Sequence, residues 1–172
     1  MRRFLLSLIL LVFTGEASAA ESNLEAILNF HQLSANIGTA GQPTQAQFAD
    51  VKAANYSTVV NLAMHDSNNA LPDEGGIVSS LGMTYIHLPV PWDAPSSSHV
   101  RKFLGLMEAL EEEKVFVHCA ANYRASVFTH RYLTLKKGVA SEQATSPLLQ
   151  QWLPEMESNW QSIMELTLDE IE

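Results

Sequence analysis

The chain has 172 residues, 47% apolar and 17% charged, with 19 acidic against 10 basic side chains and a net charge of −9 at neutral pH. That length and apolar content sustain one core and not two domains, and the acidic balance disfavours nucleic acid and anionic membrane surfaces as partners. A single cysteine allows no internal disulfide, and six scattered histidines lack metal-ligand spacing, so no disulfide framework, metal or cofactor is expected.

Residues 1–19 read as a secretory signal: Arg2 and Arg3 form the charged start, residues 4–13 the apolar core, and Ala17-Ser18-Ala19 the small-residue cleavage site. The apolar core is too short to span a bilayer. Its removal would leave residues 20–172 as one domain, periplasmic or secreted and free of the membrane. Loss of Arg2, Arg3 and Glu16 would make that domain more acidic still. Such a charge slows highly charged polyphosphates and points to a monoester on a small molecule or a protein as substrate.

Leu24, Ile27, Leu28 and Leu33 give residues 21–33 a helical spacing, and residues 34–43 read as a loop. Thr44 with Gln47 has the form of a capping box, opening a helix that carries Phe48 and Val51 and stops at Asn55. Residues 57–62 read as a buried strand, residues 73–81 as a short helix stopped by Gly82, and residues 83–88 as the next strand. This alternation is that of an α/β domain with a short, mainly parallel sheet flanked by helices. The loop 63–71 leaves the strand end on which such sheets carry ligands, which makes Asp66 a minor candidate for acid chemistry. Residues 90–98, VPWDAPSSS, form a longer loop at another strand end, and residues 98–112 an amphipathic helix.

Residues 114–126, KVFVHCAANYRAS, carry the chemistry. The run Val115-Phe116-Val117 reads as a buried strand ending in His118-Cys119, and small residues lead through Arg124 into a helix over residues 125–137. Backbone amides at a helix start make an anion site. A thiol attacks as thiolate, a form that those amides and a guanidinium favour. Arg124 would grip two oxygens of a bound phosphate, and the sulfur of Cys119 would stand behind the phosphorus. Ala120 and Ala121 leave room for the ligand, Asn122 tolerates a left-handed backbone, and Ser126 would hydrogen-bond the sulfur. His118, Ala120, Ala121, Asn122, Tyr123 and Ala125 complete the expected substrate cradle. His130 and Arg131, further along, read as structural or surface groups. The tail 141–172 reads as two helices divided near Pro154, with Trp152, Met156, Trp160, Ile163, Met164 and Leu168 as an apolar cover.

At His118, Cys119, Arg124 and Ser126 the sequence resembles the cysteine-dependent phosphatases of the protein-tyrosine and dual-specificity type. It looks closest to a bacterial branch of uncharacterised function, through Gly41-Gln42-Pro43, Asn61-Leu62 and Pro89-Val90. The resemblance covers roughly residues 37–138 and implies a dual-specificity phosphatase-like fold and hydrolysis of phosphomonoesters through a phosphocysteine. It also implies that Asp93, after Trp92, protonates the leaving oxygen; a turn or capping role is the other reading of this aspartate. The chain has four residues between Cys119 and Arg124 where the family has five, and Ala125 stands before the hydroxyl of Ser126. Four is the spacing of rhodanese-like sulfurtransferases, so a persulfide loop stays open as an alternative, as does a loop that binds phosphorylated ligands without turnover.

Overall fold

A computed structural model describes residues 23–171; the expected signal, residues 1–19, lies outside them. Five strands form one sheet, β1 (His31–Ser34), β2 (Ile37–Ala40), β3 (Thr58–Asn61), β4 (Thr84–His87) and β5 (Val115–His118). Their order is β1-β2-β5-β3-β4. Pairing is parallel for β2–β5, β3–β5 and β3–β4, and antiparallel for β1–β2. The sheet is therefore mixed and mainly parallel, in a single α/β domain.

Between the strands lie α1 (Gln47–Ala53), α2 (Glu74–Ser80) and α3 (Ser97–Ala109), and α4 (Tyr123–Leu135) follows β5. The capping box at Thr44 forms as the sequence indicates, with the Thr44 N–H donating to Gln47 Oε1 at 2.9 Å and the Gln47 N–H to Thr44 Oγ1 at 3.4 Å. Successive side chains of a strand point to opposite faces, and β5 shows what this does. Val115 and Val117 pack into a core under α3, α4 and the carboxy-terminal helices. Phe116 packs into a second core with Phe48, Val51, Tyr56 and Val78, and the His118 ring meets Phe48 on that side. Burying a side chain such as Phe116 contributes up to about 3 kcal/mol. The register thus sends His118 and Cys119 to different layers, the sulfur joining the α3–α4 core.

Three sequence expectations need correction. Residues 31–33 are strand, not helix, and the supposed loop 34–43 contains β2, so residues 31–40 form a hairpin. Its strands are only four residues long, and Gly38 interrupts the apolar pattern. A Cβ there would strike the Tyr56 hydroxyl, which donates to Gln32 Oε1 at 2.7 Å and ties β1 to the rest. The tail is broken into α5 (Ser141–Ala144), α6 (Pro147–Trp152), a 3₁₀ turn (Leu153–Glu155), α7 (Ser158–Glu165) and α8 (Leu168–Ile171), instead of two helices. Pro147 starts one of these with Ser146 as cap. Of the two readings of His130 and Arg131, structural or surface, the structural one holds: both are buried, because α4 is enclosed on all sides from Arg124 to Leu133. Burial and the neighbouring Arg131 charge push the His130 pKa down to about 4.

Candidate active site

The apolar β5 carries Cys119 to the carboxyl end of the sheet, where the residue is 1% exposed and its N–H donates to Ala40 O at 3.2 Å. The loop then turns through Asn122, whose φ of 73° is left-handed. Asparagine accepts this backbone at a lower cost than other residues with a Cβ. Its carboxamide holds the turn from within: Nδ2 donates to Asn29 O at 2.6 Å and to Thr39 Oγ1 at 3.2 Å. Helix α4 starts at Tyr123, two residues before the expected Ala125. The left-handed turn and the early helix close a loop of four intervening residues.

The loop carbonyls are drawn to the surrounding chain. Ala120 O accepts from the Gln42 N–H at 3.2 Å and from Asn69 Nδ2 at 2.8 Å, and Ala121 O accepts from Asn29 Nδ2 at 3.1 Å. Gly41 permits this approach, since a Cβ there would stand 3.1 Å from Ala121 Cα. The N–H groups of Ala120, Ala121, Tyr123, Arg124 and Ala125 donate to no acceptor among the described residues. They are the unsatisfied donors of a helix start, suited to an anion. Arg124 is 8% exposed; its Nη1 donates to Leu62 O at 3.2 Å, its Cζ lies 5.8 Å from the Trp92 ring centroid, and its buried Nε has no partner among the described residues. A buried, unpaired N–H on a guanidinium is costly unless an acceptor arrives.

Behind the loop stands a residue that the sequence reading passed over. Glu74, at the start of α2 and 5% exposed, accepts from His118 Nε2 and Asn61 Nδ2, both at 2.9 Å, and from Gln42 Nε2. Asn61 Nδ2 also reaches the Tyr85 hydroxyl at 3.0 Å. One carboxylate therefore gathers the ends of β3 and β5 and the residue two past β2, and through Asn61 reaches Tyr85 within β4. Burial raises the Glu74 pKa, but hydrogen bonds and charge from His118, with Gln42 and Tyr85, outweigh it and hold the carboxyl below its usual range. Burial and the nearby Glu74 push the Tyr85 phenol up to about 12. Gln42 and Asn61 belong to the short motifs on which the resemblance rests, and their convergence explains why these residue types stand there. A lone glutamate before two glycines gives no such signal.

Ser126 needs correcting: its hydroxyl bonds Asn122 Oδ1 at 3.2 Å and Ser146 Oγ at 2.9 Å, and not the sulfur. The intervening Ala125 shifts it along α4, where it links the loop to α6. Trp92 is held by its carbonyl, which accepts from Asn159 Nδ2 at 3.0 Å and Trp160 Nε1 at 3.1 Å. Its ring stacks on Trp152 at 5.5 Å and meets Trp160 and the half-buried Tyr123 at 5.1 and 6.1 Å. Asp93, next in the chain, is exposed and makes no hydrogen bond among the described residues. Asp66 is likewise exposed. Among the described residues no group of three His, Cys, Asp or Glu side chains is arranged to hold a metal ion. Cys119, the unpaired amides and Arg124 thus belong to one loop at the carboxyl end of the sheet.

A family model described as DSP-PTPase phosphatase fused to NAD+ kinase matches residues 20–165. Among solved structures, a candidate phosphatase (DUF442) from Shewanella putrefaciens CN-32 is 34% identical, with a TM-score of 0.75 over 83% of this chain and 93% of that one. TpbA from P. aeruginosa, in complex with pTyr, is 17% identical with a TM-score of 0.63, covering 82% of this chain and 85% of its own. The core catalytic domain of the PP-IP phosphatase SIW14 from S. cerevisiae, in complex with citrate, is 14% identical with a TM-score of 0.66, covering 83% and 87%. The last two likenesses speak for the fold alone. No curated protein matches the sequence.

Proposed function

Because this chain belongs to the DSP-PTPase family of cysteine-dependent phosphatases, we propose that it hydrolyses phosphate monoesters of the tyrosine and dual-specificity type through a phosphocysteine at Cys119. The observation that carries the reading is the set of unpaired donors beside the sulfur: the amides of Ala120, Ala121, Tyr123, Arg124 and Ala125, and the buried Arg124 Nε.

The reaction has two steps. Cys119 Sγ attacks phosphorus, forming an S–P bond as the bond to the leaving oxygen breaks, and Asp93 gives that oxygen its proton. Water then attacks phosphorus, Asp93 takes the water's proton, and the S–P bond breaks to release inorganic phosphate and restore the thiolate. Arg124 and the loop amides hold the equatorial oxygens, where charge is spread in the transition state. His118, fixed by Glu74, sets the strand end from which the sulfur points. Removal of residues 1–19 would put this chemistry in the periplasm or outside the cell, on a small phosphorylated molecule or a phosphoprotein. Purified protein should release p-nitrophenolate from p-nitrophenyl phosphate and Cys119→Ser should not; wild type no faster than that variant ends the reading.

A further inference from the structure

Trp92 is held by two hydrogen bonds and by rings on several sides, and the hydrogen bonds come from the far end of the chain. Its carbonyl takes two donors from α7, Asn159 Nδ2 at 3.0 Å and Trp160 Nε1 at 3.1 Å. Trp160 is 0% exposed, so this N–H has no water to turn to. The Trp92 ring is closed in by Trp152 of α6 and by Trp160, with Tyr123 and Arg124 of the cysteine loop on another side. Asn159 is itself held, since its Oδ1 accepts from the Trp160 N–H at 3.0 Å. The next residue, Asp93, has no hydrogen bond among the described residues. On its amino-terminal side it is joined directly to the peptide unit that α7 holds, whereas the next hydrogen-bonded residue after it is Ser96, three positions on.

We propose that Asn159 and Trp160 are positioning residues for the acid of the reaction: by fixing the Trp92 carbonyl they set where the Asp93 carboxyl stands over the leaving oxygen. The inference rests on the phosphatase reading above. It gives the carboxy-terminal helices a part in proton delivery beyond covering the core. A carboxyl on an unanchored loop delivers its proton less often, and the loss is felt by esters whose leaving oxygen is a poor leaving group.

The test is the double variant Asn159→Asp with Trp160→Phe. The aspartate keeps the acceptor for the Trp160 N–H and removes the donor to Trp92; the phenylalanine keeps an aromatic ring in the core and removes the indole N–H. With phenyl phosphate, whose phenolate needs the proton, kcat/KM is expected to fall about 10-fold or more. With p-nitrophenyl phosphate, whose phenolate leaves unaided, the change should stay within about threefold, since general acid catalysis adds little there. Amide hydrogen exchange at Asp93, Ala94 and Ser96 should become faster. Equal losses on the two esters, or unchanged exchange, overturn the proposal and leave the phosphatase reading standing. A wild type that turns over neither ester, with exchange still accelerated in the variant, overturns the phosphatase reading, and the proposal with it.

Discussion

The cysteine loop and the Trp92–Asp93 loop sit at the same end of the sheet and are held in opposite ways. In the first, contacts from four separate stretches meet: Asn29 and Asn69 take the carbonyls of Ala121 and Ala120, Gln42 joins them through its amide, and Leu62 receives Arg124. In the second, Val90 and Ser96 hold the ends and Trp92 the middle, while Asp93 beside it makes no hydrogen bond among the described residues. An anion cradle works only if its donors are aimed before the ligand arrives. A group that must deliver a proton and then take one back needs reach instead. The difference suggests where the two loops will resist substitution and where they will not.

The largest effect expected at the cradle, short of losing the sulfur, comes from Arg124→Lys. Lysine keeps the charge and loses the fork and the unpaired Nε, so kcat/KM for p-nitrophenyl phosphate should drop by about 10²- to 10³-fold. A loss within about threefold, less than any aimed donor should cost, would mean that the guanidinium geometry is idle. In the freer loop, Asp93→Asn should cost about 10- to 100-fold with phenyl phosphate, the low end for a general acid. Its unfolding free energy should stay within about 0.5 kcal/mol of wild type, as for other exposed positions. A large stability loss there would erase the contrast between the loops.

The smallest expected effect is one of pH. The Glu74 carboxyl is held below its usual range in the folded chain, so the unfolded state binds the proton more readily. Its stabilisation is present above the unfolded pKa and fades as pH falls through the folded one. Urea unfolding of wild type and Glu74→Gln should therefore differ most near neutrality, and the gap should narrow below about pH 4.5. A constant gap down to acid would show that the charge of Glu74 does not matter to the strand ends it joins.

How much of this could be read from the chain follows the range of the interactions. The run Val115-Phe116-Val117 and the Thr44–Gln47 cap are local patterns, and each forms as expected. The β1–β2 hairpin was hidden because Leu24 and Ile27 do pack inward at helical spacing, while four-residue strands carry too little pattern to compete. Glu74 was hidden for another reason. Its role exists only where Gln42, Asn61 and His118 arrive from separate strands, and nothing near Glu74 in sequence announces them. The same holds for Asn29 and Asn69, loop asparagines by type and loop clasps by position. Ser126 differs from the expectation by a single position: Ala125 intervenes, and the hydroxyl meets Ser146.

The proposed reaction passes through a covalent bond between phosphorus and the one cysteine sulfur in the chain. Acid-quenching a reaction of Asp93→Asn with p-nitrophenyl phosphate, then weighing the peptide that contains Cys119, should reveal the added mass of one HPO3 on that cysteine, absent from Cys119→Ser. Steady turnover with an unmodified Cys119 peptide at every quench time, or a persulfide in place of the phosphoryl group, would contradict it.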